Sequence, residues 1–191
     1  MTYVIKITPR SEREAMIEKR LAASSEFGET IFDFRSGTFT PKVISLPIAV
    51  PLYRMENCRT FSAQQTEIAR EGLDKDYFAK GQELTTVQQS QHEILIKLAK
   101  QGSGSVTPII NVLDQDGQRE PILISSSGIV VNGNRRLSAM RELMRKMMVL
   151  STNVLRTFDA LFYPQIFHVM KSTTSKLIFK PVLRQSWITT G

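Results

Sequence analysis

The chain has 191 residues, 41% of them hydrophobic, enough for one packed domain with appendages and no need of metals or disulfides. No segment approaches the ~20 apolar residues of a membrane helix, and one cysteine (Cys58) with two histidines (His92, His168) excludes an internal disulfide and a zinc ligand set. The formal net charge of +7 and a sequence pI of about 9.7 favour anionic partners.

The opening Met1-Thr2-Tyr3-Val4-Ile5-Lys6 lacks a long apolar core and a cleavage site, so the expected location is a reducing, bacterial cytoplasm. Residues 11–23 read as a helix with a Ser11/Glu14 capping box and a loose stripe of Ala15, Met16, Ile17, Leu21 and Ala22. Residues 27–41 interleave Phe27, Phe32, Phe34 and Phe39 near period two. That pattern predicts extended chain or a hairpin whose rings face a core or stack on bases. Residues 42–53 are strand-like, but Pro47 and Pro51 make the strand an edge or irregular one.

A helix capped by Ser62 is expected over 62–73, and a loop or short turn over 74–82. The clearest helix spans 85–100, with Ile94, Leu95, Leu98 and Ala99 as its buried stripe. Gln88, Gln89, Gln91 and Glu93 populate its polar side, and His92 beside Glu93 reads as a surface residue. Gly102-Ser103-Gly104-Ser105 marks a flexible break. Strands are expected at 108–113 and 121–124 around an Asp114-Gln115-Asp116-Gly117 turn, then a turn at 125–128 and a strand at 129–131.

After residue 148 the pattern changes. Residues 149–169 are apolar, with Phe158, Phe162, Tyr163, Phe167 and Pro164, and residues 173–188 are punctuated by threonine, lysine and proline. Residues 146–191 carry Lys146, Arg156, Lys171, Lys176, Lys180 and Arg184 against Asp159 alone. Such a tail suits a phosphate backbone or an acidic protein surface, and equally a solvated end. The expected organisation is therefore an N-terminal helix and extended segment (1–42), a core (43–148) and a basic segment without assigned structure (149–191), within an α+β fold.

The most informative stretch is Gly128-Ile129-Val130-Val131-Asn132-Gly133-Asn134-Arg135-Arg136-Leu137-Ser138-Ala139-Met140. It reads as a short apolar strand, a glycine turn and a helix opening with two arginines. Free N–H groups and the helix dipole favour an anion at such a start. Gly133 lets a phosphate approach the backbone, and Arg135 and Arg136 add forked, charge-assisted bonds. Strand–Asn-Gly–helix is also an ordinary turn, and paired arginines also decorate ordinary helices. No Walker loop or dinucleotide fingerprint is present.

Residues 132–139 resemble the G-x-x-R box of the ParB/sulfiredoxin superfamily, where a strand is followed by Gly-x-Arg/His-Arg and a helix with a small residue three positions on. The polar helix carrying Gln88 to Lys100, then Gly102, Pro108 and the apolar run 109–113, is similar to the family's helix, glycine and Pro-apolar strand segment. Residues 54–61 (Arg-Met-Glu-Asn-Cys-Arg-Thr-Phe) resemble its Asn-x-Arg element, so the likeness covers about residues 43–145. It implies a compact mixed sheet with helices and a strand–Gly turn–helix phosphate site. ATP or CTP would be bound with Mg²⁺, its phosphates held by Asn132, Gly133, Asn134, Arg135, Arg136 and Arg59.

Two departures shape the implied chemistry. Sulfiredoxins place the catalytic cysteine directly after the motif glycine, where this chain has Asn134, and Cys58 lies far away in sequence, so sulfinic-acid repair is not expected. ParB proteins that bind CTP usually have a glutamate there; Asn134 can offer an oxygen to a magnesium-bound water but lacks the charge. Either metal affinity is weaker or a different carboxylate serves, and Glu93 is the candidate beside Arg135 and Arg136 for catalysis, with the metal ligands unassigned.

The 46 residues after Arg145 leave too little room for both a helix-turn-helix and a dimerisation domain. The chain resembles instead the small single-domain plasmid members, the Osa-type fertility-inhibition factors. That likeness implies ATPase and metal-dependent DNase activity, DNA and a conjugative coupling protein as partners, and inhibition of conjugative or T-DNA transfer. A non-cleaving, nucleotide-switched module for DNA or protein binding and a purely structural interaction protein are the other readings.

Overall fold

Arg13, Ile17 and Leu21, each four residues apart, put one buried face on the first helix, α1 (Arg10–Ala23). The structure, a computed structural model, describes residues 2–25, 27, 30–34, 37–101, 107–118, 122–154, 166–171 and 176–181. The expected capping box is not used: Pro9, with its φ fixed by the ring, starts the helix one residue earlier, and Glu14 pairs with Arg10 at 2.9 Å. Ala15 and Ala22 are exposed, and Arg13 takes their place on the buried face.

The fold is α+β. After α1 a small hairpin of β1 (Ile31–Phe34) and β2 (Gly37–Phe39) forms its own antiparallel sheet, as the spacing predicts. Phe27 is exposed and bridges to Lys42, whose Nζ lies 5.8 Å from its ring centroid. Strand β3 (Lys42–Pro47) follows, then α2 (Cys58–Glu71), the one-turn α3 (Tyr77–Lys80), α4 (Thr85–Lys100) and α5 (Ile109–Asp116). The hairpin β4 (Ile122–Ser125) and β5 (Val130–Asn132) leads into the long α6 (Asn134–Val154), and β6 (Ile166–Lys171) and β7 (Lys176–Pro181) end the order.

The main sheet runs β3-β6-β7-β4-β5, so β3 lies at an edge, where its terminal Pro47 is tolerated. Its neighbours pair antiparallel, with one parallel register between Val43 and Ile178. Two strands from the segment left unassigned by sequence thus lie inside the sheet, and α6 runs through residue 148 without a break. The apolar runs 155–165, the Gly102–Ser105 break, and Arg156, Arg184 and Trp187 lie outside the described residues. The core is formed by Ile17, Leu46, Leu95, Ile122, Ile124 and Leu137 among others, joining α1, β3, α4, β4 and α6. No described helix is long and apolar enough to cross a membrane.

Two further expectations change. Residues 109–116 form helix α5 and not a strand-and-turn. Pro108 supplies its N-cap and Gly117, at φ 70°, its end, while Ile110 and Leu113 bury one side. The helix expected from Ser62 starts four residues earlier, because the Asn57 side chain accepts the N–H of Arg59 at 3.0 Å and caps α2.

Candidate functional site

Residues 53–55 form a strap within the connection from β3 to α2 and lie outside the regular strands, yet their peptide groups are paired. Leu52 N–H donates to Gly128 O at 2.9 Å and Val130 N–H to Leu52 O at 2.8 Å, tying the strap's start to the β4–β5 hairpin. From there side-chain amides replace a neighbouring strand. Gln88 accepts Tyr53 N–H and donates to Tyr53 O, both at 2.9 Å. Asn134 accepts Arg54 N–H at 3.3 Å and donates to Arg54 O at 3.0 Å. Gln82 accepts Met55 N–H at 3.2 Å, and Gln64 donates to Met55 O at 2.9 Å. An amide carries both a donor and an acceptor, so it mimics a peptide unit. This is why Gln88 and Gln91, expected on a solvated face, are buried on α4; Gln91 accepts from Gln64 at 2.9 Å.

The strap and the glycine turn both line a cavity of about 640 Å³. Arg54, Glu56, Asn57, Cys58 and Arg59 line one wall, and Asn132, Gly133, Asn134, Arg135 and Arg136 the other, with Ile109 and Val131 completing it. Three helices begin at this cavity, α2 after Asn57, α5 at Ile109 and α6 after Gly133. In α6 the intrahelical ladder starts with Leu137 N–H on Gly133 O at 2.9 Å, so the amides before it point out of the helix end. Four arginines line the cavity against one carboxylate, Glu56. Glu56 lies 3.3 Å from Arg54 in an exposed pair, which contributes little to stability. None of the ion pairs among the described residues uses Arg59 or Arg135. Positive helix ends and guanidinium groups around one concave space make an anion site.

A scan of the chain against protein-family models matches none, and comparisons with curated proteins and with solved structures find no match. The site is therefore read from its own geometry.

Of the residues expected at the site, Asn132, Gly133, Asn134, Arg135, Arg136 and Arg59 come together. Glu93 does not. It is exposed on α4, within 3.3 Å of Gln89, whose amide holds Tyr3 O and Ile5 N–H of the N-terminal segment. The carboxylate at the cavity is Glu56, from the Asn-x-Arg stretch. Asn134 is 6% exposed and its amide is engaged on Arg54, so it fastens the two walls together and is not an open ligand oxygen. Gly133 also has a different reason from the expected one. Its φ is 110°, and a Cβ there would lie 2.9 Å from Ile122 Cγ1 in the core. Packing and backbone conformation require glycine there, quite apart from any phosphate. Cys58, remote in sequence, lines the same cavity and is exposed.

Behind the strap lies a buried polar chain that the sequence did not signal. His92, expected at the surface, is fully buried. Its Nδ1 lies 2.7 Å from Tyr53 Oη and its Nε2 3.1 Å from Glu142 Oε1. Glu142 also accepts Tyr3 N–H at 2.5 Å and Arg145 Nε at 3.0 Å. An ionised Glu142 accepts a hydrogen bond from the Nε2–H of neutral His92, leaving Nδ1 to accept from Tyr53. Burial pushes His92 below the usual imidazole range, more than the Glu142 carboxylate pulls it up. Burial alone would raise the Glu142 carboxyl, but its bonds from Tyr3, His92 and Arg145 outweigh that and hold it low. Burial also pushes Tyr53 up to about 12, with Arg141 opposing.

Both His92 and Glu142 bind a proton less readily in the fold than in the unfolded chain. Their contributions are complete above the unfolded values and are lost as pH falls, His92 first from about 6.5 and Glu142 later from about 4.5. The urea midpoint is therefore expected to fall between pH 8 and pH 5. The His92→Gln variant should start lower and show a flatter profile over that window. Equal slopes for the two proteins would mean that His92 does not couple folding to pH.

Proposed function

We propose that the protein binds a nucleoside triphosphate, ATP or CTP, in the cavity where α2, α5 and α6 begin, and hydrolyses it with Mg²⁺ as a ParB/sulfiredoxin-like protein. The observation that carries this reading is the convergence of three helix starts and four arginines on one space with a single acidic side chain. Arg135, Arg136, Arg54 and Arg59 would hold phosphate oxygens and offset the charge that develops on them. Among the described residues no cluster of three His, Cys, Asp or Glu forms a dedicated metal cage. Mg²⁺ needs only one or two carboxylates when phosphates and waters complete its shell, and Glu56 fits that role. When bound, the ion neutralises phosphate charge.

The resemblance to Osa-type plasmid proteins supports a wider reading. In it the protein also cleaves DNA, works in the bacterial cytoplasm near a conjugative coupling protein, and inhibits conjugative or T-DNA transfer. The basic residues of 146–191 favour DNA as a partner. A second reading, a nucleotide-switched binding module without cleavage, is favoured by the position of His92 and Glu93 outside the cavity, which leaves Glu56 as its one candidate base among the described residues.

The deciding experiment incubates the purified protein with ATP or CTP and with plasmid, in Mg²⁺ and in EDTA. Metal-dependent nucleotide turnover with plasmid cleavage is the expected result. Nucleotide protection against melting without turnover would establish the switch. Absence of both binding and turnover would remove the nucleotide assignment.

A further inference from the structure

A second cavity, of about 590 Å³, adjoins the first, and Glu56, Asn57 and Cys58 line both. Its character is opposite. It lies against α2 and α3, with Met55, Phe61, Ile68 and Phe78 on its walls. Met55, Ile68 and Phe78 are buried and form a fixed apolar floor. Phe61 is different, 60% exposed at the first turns of α2, where solvating a large apolar ring has no structural benefit of its own. Gln65 and Lys75 line the same space and supply a donor–acceptor pair and a cation.

We propose that this second cavity is the subsite for a nucleobase, so that the two cavities together take one nucleoside polyphosphate. The inference rests on the nucleotide reading of the first cavity and adds where the base of that ligand would lie. Residues 56–58 line both cavities, so a ligand with its phosphates at the α6 start meets apolar surface on the other side of them. The group that suits that surface is planar and apolar on its faces and polar at its edge. A base has such faces, which stack on Phe61, and an edge that the Gln65 amide can read. A lipid chain would need no polar rim, and a bare polyphosphate would leave the ring of Phe61 in water.

The test compares two probes, inorganic tripolyphosphate and ATP or CTP, by calorimetric titration of the full chain. Cys58, the single cysteine, lies in the shared wall, so its alkylation by iodoacetamide reports locally on occupancy. Wild type is expected to bind a nucleotide more tightly than tripolyphosphate and to lose Cys58 alkylation when it does. Phe61→Ala should lower the ratio of nucleotide to tripolyphosphate affinity by about tenfold, the order seen when a base loses an aromatic partner. Phe61 is exposed, so the variant should melt within a few degrees of wild type. An unchanged ratio in Phe61→Ala overturns the base subsite while leaving the phosphate reading intact. If wild type binds neither probe, both readings fall together.

Discussion

Alanine at both Arg135 and Arg136 is expected to weaken nucleotide binding by two orders of magnitude or more while the fold persists. Both side chains are half-buried at the start of α6, and both line the anion cavity. A charge-assisted hydrogen bond contributes roughly 1.5–3 kcal/mol, so two lost anchors amount to roughly 3–6 kcal/mol of binding free energy. The helix itself loses little, because alanine is the best helix former and the cores of the turn, Gly133 and Leu137, are untouched. Calorimetric titration at low and physiological salt checks the prediction. Wild-type affinity in the double variant would place the phosphate site elsewhere, and any turnover it retained would have to come from another centre or a contaminant.

Arg141→Ala is expected to destabilise the protein by about 3 kcal/mol or more. Arg141 is 1% exposed in α6, and its Nε and Nη2 donate to the carbonyls of Ile48, Ala49 and Pro51. The shortest of these bonds, to Pro51, is 2.6 Å, and the guanidinium carbon sits 4.7 Å from the Tyr53 ring centroid. Truncation would leave those carbonyls buried without donors and a void under the strap. Arg141→Lys should recover only a fraction, since lysine lacks the second nitrogen that Nε places on Ile48 O and the planar group that stacks on the Tyr53 ring. Urea unfolding of the two variants measures both effects, and a loss under about 0.5 kcal/mol for Arg141→Ala would show that the chain between β3 and the strap holds itself without the arginine.

What could be read from the sequence follows from where the information is local. The strand, glycine turn and helix around Gly133 announce themselves over a dozen residues, and the helix over 85–100 does so by its period. The α+β class follows from the same patterns. The opposite wall of the cavity was half legible: Arg59 was expected there, but Arg54, Glu56 and Asn57 were not placed on it. An asparagine ahead of an amphipathic run is a cap signal, and weighing Asn57 against Ser62 would have moved the start of α2 to the site. Residues 109–116 misled because a short apolar run suits a strand or a helix equally, and Pro108 permits either. The buried polar chain was illegible for a different reason. Glutamine and histidine on a helix look solvated until the partner across the core is known, and Tyr53 and Glu142 lie 39 and 50 residues from His92.

The amide-held strap separates what the cavity wall is from where it stands. Gln88, Asn134, Gln82 and Gln64 grip peptide groups, and peptide groups are the same whatever side chain they carry. Arg54 is thus anchored by its main chain and free to change its side chain, like an interchangeable fitting on a fixed rail. Exchanging the residue at that position would retune the charge and the ligand preference of the cavity without rebuilding the scaffold around it. A protein built this way can acquire a new specificity through single substitutions on a wall that stays in place.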